Sequence, residues 1–260
     1  VPRRHSVSST RTYEACPRHY WHAYIRRDPG ERRVPQHWRF GKVIHAALEA
    51  IYAEIADGPQ KKSVNPSDLE PVARSALDEA WRSEGLPERG GEYDRAIGIV
   101  QQVLDSHQPI TPSEVLGVEK RLEATTSDGT HVIGVADLVH TLGGAVEVVD
   151  HKVTSRAASS TEDLAADFQL NLYAWMARHM WPEASRVYVS HHYPPLQRTV
   201  RVLSPTEAQE DAVARVEAVA EMIDTDEQFA PIVGEHCAAC PYQPKCPAWN
   251  DEATLAVDGF

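Results

Sequence analysis

Cysteine is scarce in this chain and unevenly placed: Cys16 stands alone near the start, and Cys237, Cys240 and Cys246 crowd together near the end. In a reducing compartment such a cluster points to metal ligation rather than to disulfides. Apolar runs long enough to cross a bilayer are missing, and so is a basic-then-apolar leader, so the chain reads as cytosolic with no membrane partner. The first residue is Val1 and not Met, which predicts a trimmed N-terminus. There is no Gly-x-x-x-x-Gly-Lys-Ser/Thr phosphate loop, so any ATP-driven unwinding has to come from a partner such as a helicase. No Ser/His/Asp arrangement stands out as a source of a protein nucleophile, and there is no internal repeat or low-complexity tract.

Positive charge is also in short supply, with 26 Lys/Arg against 38 Asp/Glu and a net charge of -12. A deficit of that size argues against a polyanionic partner, whose affinity comes largely from neutralised phosphates. The distribution argues the other way. Val1 to Lys42 carries ten Lys/Arg and three Asp/Glu, or +7, which leaves -19 on the remainder. Charge alone is satisfied by an exposed basic arm offset by solvated acidic helices.

What the chain does have is enough apolar residues, 42% of 260, to bury one substantial core, which predicts one domain with a helical elaboration. Tyr13, Cys16, Tyr20 and Tyr24 recur at helical spacing, so Ser8 to Arg26 reads as a helix with an aromatic face. A Pro/Arg-rich connection, Asp28 to Pro35, leads to a helix over His37 to Ala56 that Gly58-Pro59 ends. Ser67 to Ser83 and Tyr93 to His107 read as further helices, separated by Gly85 to Glu92. The pattern then turns β-branched: Val115 to Ala124, His131 to Leu142 and Ala145 to Lys152 are strands joined by turns at Ser127-Asp128-Gly129 and Gly143-Gly144. A helix over Glu162 to Met180, strands over Arg186 to Tyr193 and Arg198 to Leu203, and an acidic helix over Pro205 to Asp224 complete an α/β order around a central mixed sheet with flanking helices. Four segments of a single domain follow: 1–35 with the first cysteine, 36–112 as a helical region, 113–204 as the core, and 205–260 as the last helix and the Cys-rich loop.

Chemistry concentrates on two strands, in Gly134-Val135-Ala136-Asp137 and Asp150-His151-Lys152. Alternation puts Asp150 and Lys152 on one face and leaves Glu147 out of phase. The Gly143-Gly144 turn brings Asp137 and Asp150 together across neighbouring strands. Carboxylates so placed repel unless a cation lies between them, and hard oxygen ligands suit Mg²⁺ or Mn²⁺. Asp-x-Lys alone is common on the wet face of an edge strand. Here Val148 and Val149 precede it and a second acid lies one hairpin away, so the group is expected to be partly buried, where unpaired charge is costly. On the helices, Gly41-Lys42-Val43-Ile44-His45 ends in a histidine, and Gln169 and Tyr173 share a face.

In this order, Gly41-x-x-x-His45, Gly134-x-x-Asp137, Asp150-x-Lys152 and Gln169-x-x-x-Tyr173 resemble the RecB-type branch of the PD-(D/E)xK nucleases, which includes Cas4-like and AddB-like nucleases and the Dna2 nuclease domain. The resemblance covers most of the chain. It implies a restriction-endonuclease-like core with a helical insertion and a C-terminal cysteine-cluster loop. It implies that His45, Asp137, Asp150 and the backbone carbonyl of His151 hold the metal, that Lys152 positions or polarises the attacking water, and that Gln169 and Tyr173 contact DNA or orient the site. Asp150 stands where many members have Glu, which shortens the ligand arm. Phosphodiester hydrolysis places negative charge on the scissile phosphate, and a divalent ion with Lys152 would stabilise it.

Spacing of the four cysteines fits either a [4Fe–4S] cluster or structural Zn²⁺. The resemblance implies [4Fe–4S], because these nucleases carry one cysteine ahead of the Gly-x-x-x-His helix and three after the core. Its expected role is a clasp tying the first helix to the C-terminal loop. Arg11, Arg18, Arg26 and Arg27 share the first helix with the aromatics and could offer phosphate and stacking contacts to single-stranded DNA. For Tyr13 and Tyr20, packing around the cluster is the preferred reading. The motifs without a motor imply an exonuclease at DNA ends, single-stranded and 5′ to 3′, in recombination, repair or phage DNA metabolism. A Cas4-like factor that trims DNA for CRISPR adaptation is a second reading, and a non-catalytic zinc or Fe–S DNA-binding module a third.

Overall fold

The computed structural model describes residues 4–31, 35–58, 65–87, 90–106, 111–154 and 156–249. Parts of the expected Asp28 to Pro35, Gly58-Pro59 and Gly85 to Glu92 connections, and His107, lie outside these. The chain divides into two compact units: Val1–Val34 with Thr125–Ile133 and Val213–Phe260, and Pro35–Ala124 with Gly134–Ala212. The two ends of the sequence therefore belong to one unit, while the helical region and the core belong to the other.

In the first unit, strand β1 (Arg4–His5) pairs in parallel with His131 and Val132. Helix α1 (Val7–Ala15) opens on a capping box in which Ser6 and Ser9 satisfy each other's backbone N–H. The single helix expected from Ser8 to Arg26 is instead interrupted at Cys16, whose backbone is extended (φ -166°, ψ 109°). Pro17 is the physical reason, since a proline ring disfavours helical geometry in the residue before it. Helix α2 (Pro17–Tyr20) restarts with proline at its first turn, widens into a π-helical turn over Trp21–Arg26, and stops on left-handed Arg27. Tyr13 and Tyr20 are buried against Val219, Ile223 and Phe229, and the Tyr13 hydroxyl donates to Asp226 at 2.8 Å.

The second unit starts with helices α3 (Gln36–Asp57), α4 (Pro66–Ser83) and α5 (Gly91–Ser106). Their apolar stripes, including Ile44, Leu48, Ile51, Leu69, Leu77 and Leu104, form one core with Leu138 and Val149. Strands β2 (Val115–Thr125), β3 (His131–Leu142) and β4 (Ala145–His151) follow, then helices α6 (Thr161–Ala165) and α7 (Phe168–Met180), strands β5 (Val187–Tyr193) and β6 (Arg198–Leu203), and helix α8 (Thr206–Thr225). β2 pairs with β3, β3 and β4 are antiparallel, β4 and β5 parallel, and β5 and β6 antiparallel, so the sheet is mixed. All seven residues of β4 are buried, as a central strand covered on both faces demands. The helix expected over Glu162 to Met180 is two helices, because Asp167 caps a new start by accepting the Leu170 N–H at 2.9 Å. Among the described residues no helix is long and apolar enough to cross a membrane.

Candidate active site

The β3–β4 hairpin pairs Leu138 with Val149, so Asp137 and Asp150 are the next residues to face each other where the ladder runs out. There the Asp137 side chain takes over from the ladder: its Oδ2 accepts the His151 N–H at 2.6 Å. Lys152 lies just past the strand, its N–H held by the His192 carbonyl at 2.7 Å, and its Nζ reaches back to Asp150 Oδ2 at 2.7 Å. From α7, in whose first turn it sits, Gln169 donates to Asp150 Oδ1 at 2.9 Å and lies 3.5 Å from the Tyr173 hydroxyl. His191 on β5, opposite Asp150 in register, places Nε2 3.9 Å from Oδ2.

On the other side of Asp137 stands α3. Its apolar stripe turns inward and leaves His45 a third exposed, with Nδ1 3.6 Å from Asp137 Oδ2. The His151 ring is fully buried between Tyr52, on which it stacks at 5.7 Å, and His45 and His192, at 6.0 and 5.0 Å. Burial, reinforced by the two neighbouring imidazoles, holds His151 well below its ordinary range.

Electrostatically the site is under tension. Burial pushes the Asp137 carboxyl up, and Asp150 pushes it further, against the pull of His45, the His151 N–H and Lys152. Tyr173 is raised to about 12 by burial and by Asp150, and its hydroxyl oxygen faces the Gln169 amide N–H as acceptor. Clustered carboxylates of this kind accept a hard cation readily, because the ion removes the repulsion that folding has left in place.

One residue absent from the sequence motifs belongs here. Glu119 of β2 brings a carboxylate oxygen within 4.8 Å of donor atoms on both His45 and Asp137. Its carboxyl is raised by partial burial and by repulsion from Asp137 and Glu49. Glu119 adopts φ 45°, a left-handed conformation rare for a non-glycine residue in a strand. Gly117 two residues earlier is the only sequence hint of an irregular strand, and it does not single out Glu119.

The two motif glycines do different work. A Cβ at Gly134 would lie 2.5 Å from Tyr173 Cε1 and 3.0 Å from Met176 Cε, so α7 approaches β3 this closely only because residue 134 has no side chain. At Gly41 the nearest atom, Val153 Cβ, is 4.0 Å away.

The cysteines and the first-helix arginines lie in the other unit. Cys16, Cys237, Cys240 and Cys246 line one pocket, and the Cys240 thiol is pushed up by burial and by the other three. Arg18 is engaged within the unit: its Nη2 donates to the Gln228 carbonyl at 3.1 Å and its guanidinium lies 4.9 Å above Trp21. Arg11 is exposed on α1.

The family model for the PD-(D/E)XK nuclease superfamily matches residues 4–247. No curated protein matches the chain. Solved structures similar to it include the crystal structure of SSO0001, 14% identical with a TM-score of 0.34, over 81% of this chain and 96% of that one. A match of the family model from β1 to the C-terminal cysteines, on a mixed sheet with flanking helices, places the chain in the PD-(D/E)XK nuclease superfamily, whose chemistry is metal-dependent phosphodiester hydrolysis.

Proposed function

We propose that this chain is a RecB/Cas4-like DNA exonuclease that uses Mg²⁺ or Mn²⁺ to hydrolyse phosphodiester bonds at free ends of single-stranded DNA, 5′ to 3′, in recombination, repair or phage DNA metabolism. The observation that carries the reading is the meeting of His45, Asp137, Asp150 and Lys152 at the end of β4: Nδ1 of His45 is 3.6 Å from Asp137, and Nζ of Lys152 is 2.7 Å from Asp150. Asp137, Asp150, His45 and the backbone carbonyl of His151 are the ligand set. A divalent cation held there would bind a phosphate oxygen and lower the pKa of a water molecule. Lys152, whose side chain is 37% exposed, is placed to orient that water and to offset charge growing on the phosphate. Gln169 fixes the rotamer of Asp150, and the protonated Tyr173 hydroxyl is a donor for a DNA phosphate. Arg11, exposed on α1, would meet the backbone of the incoming strand, whereas the internal bonds of Arg18 favour a role in holding Trp21. With no motor motif in the sequence, a helicase or recombination partner would supply unwound ends in the cytoplasm.

A [4Fe–4S] cluster on Cys16, Cys237, Cys240 and Cys246 is part of the proposal. The four cysteines line one pocket, and each would take a separate iron of the cluster.

End-labelled single-stranded DNA with Mg²⁺ or Mn²⁺ tests the activity. Wild-type protein is expected to release short products from the 5′ end, and Lys152→Ala to slow release by about 100-fold or more. Equal cleavage by Lys152→Ala, or none by wild type, would refute it. Iron absent from anaerobically purified protein would refute the cluster.

A further inference from the structure

We propose that His191 is a positioning residue for Asp150, and that Tyr193 and Ser159 complete a buried chain joining this carboxylate to the far end of the loop that begins at Lys152. The inference rests on the nuclease reading of the site and adds three residues that lie outside the sequence motifs.

Strand register makes the first link. β4 and β5 run in parallel with Asp150 opposite His191, so the two side chains leave the sheet on the same face. Gln169 closes on Asp150 Oδ1 at 2.9 Å, and His191 Nε2 stands 3.9 Å from Oδ2. At that distance the imidazole acts through local charge rather than through a hydrogen bond. Beyond the ring, the Tyr193 hydroxyl has two acceptors in reach, Ser159 Oγ at 3.0 Å and His191 Nδ1 at 3.2 Å, and its proton can turn to either. Asp150 decides between them. A carboxylate beside Nε2 favours the proton on that nitrogen, which leaves Nδ1 to the Tyr193 hydroxyl. Ser159 stays attached, because its backbone N–H donates to the same phenol oxygen at 3.1 Å.

His191 and Tyr193 are 6% and 3% exposed, so water does not compete for these contacts. Three successive residues of β5 thereby secure the catalytic strand end and the loop together. The His192 carbonyl holds the Lys152 N–H at the head of the loop, and Tyr193 holds Ser159 at its tail, next to the Ser160 cap of α6. Lys152 Nζ lies 2.7 Å from the same Asp150 oxygen that His191 faces. An amine that turns from this oxygen to a water molecule leaves it to the imidazole. A carboxylate that holds a cation needs its remaining contacts fixed, and such outer contacts are worth about 10–100-fold in metal affinity or activity.

Calorimetry of Mn²⁺ binding to the full chain, nitrogen-15 NMR of the imidazoles and cleavage of end-labelled DNA together test this. In metal-free wild type the His191 proton is expected on Nε2. His191→Leu is expected to weaken Mn²⁺ binding about tenfold or more and to lower kcat with KM for DNA unchanged. His191→Gln, which returns an N–H to the region of Nε2, should recover most of that affinity. Tyr193→Phe removes only the hydroxyl, so it should melt close to wild type and weaken Mn²⁺ binding by a smaller factor. A bare Nε2 in wild type, or wild-type Mn²⁺ affinity in both His191→Leu and Tyr193→Phe, would overturn the proposal. So would equal weakening by His191→Leu and His191→Gln, which marks packing rather than positioning. Wild type that takes no Mn²⁺ would overturn it along with the nuclease reading, whereas protein that binds Mn²⁺ in a His191-dependent way and cuts nothing would refute the exonuclease and leave the positioning chain standing.

Discussion

Replacing Gly134 by alanine adds a single methyl group, and the structure specifies what it meets: Tyr173 Cε1 at 2.5 Å, Met176 Cε at 3.0 Å and Tyr173 Cδ1 at 3.1 Å. Carbon atoms rest at about 3.5–4.0 Å, so the Tyr173 ring has to retreat by about 1 Å. It is 7% exposed and packed between α7 and the sheet, which leaves little room to do so. Overpacking of this kind costs about 1–3 kcal/mol, partly offset by the smaller unfolded-state entropy of alanine, for a net of about 1–2 kcal/mol. Thermal unfolding should then begin roughly 2–8 °C lower. The displacement also reaches the reaction, because the Tyr173 hydroxyl neighbours Gln169, which holds Asp150. Misplacement of about 1 Å in a positioning chain costs up to about 100-fold in rate. Gly41→Ala is the control. Its new Cβ would make an ordinary contact with Val153 at 4.0 Å inside a helix, so stability should rise by about 0.5–1 kcal/mol with cleavage unchanged. Circular-dichroism melts and cleavage assays on the two variants decide it. Gly134→Ala behaving like Gly41→Ala in both would refute the close-packing argument.

Two further outcomes follow from buried charge. Burial pushes the Glu147 carboxyl up, but bonds from His140, Arg201 and Ser190 hold it below its ordinary value of 4.5, so its stabilising contribution is present above pH 4.5 and is lost as acidification passes the folded-state value. Glu147→Gln should cost about 1–3 kcal/mol at neutral pH and the gap to wild type should close in acid, as read from denaturant midpoints; a gap independent of pH would refute the ion-pair account. Asp137 is shifted the opposite way, raised by burial and by Asp150, so its ionised form opposes folding, and relief comes as pH falls toward 3.8. Asp137→Asn should therefore melt higher than wild type in chelator at neutral pH while losing DNA cleavage, and a lower melting temperature would count against the repulsion.

Local chemistry left its mark on the sequence. Period-two runs set the strands from Val115 to Leu203, period-3.6 stripes set α3 to α5, and the two-glycine turn fixed the Asp137–Asp150 approach, because each depends on neighbours a few residues away. The break in the first helix at Pro17 and the split before α7 at Asp167 also have local causes, yet the periodicity ran through both and each pair was read as a single helix. The carboxylate-lysine strand and the histidine helix could be read as one constellation only through the order of their motifs. What the sequence did not reveal was decided by contacts between distant segments. The approach of Glu119 to His45 and Asp137 joins elements far apart in sequence, and the steric need for glycine at 134 exists only because α7 lies across β3. Periodicity records which face a residue occupies, whereas ligand geometry depends on where three separate elements come to rest against one another, and that is a property of the packed core.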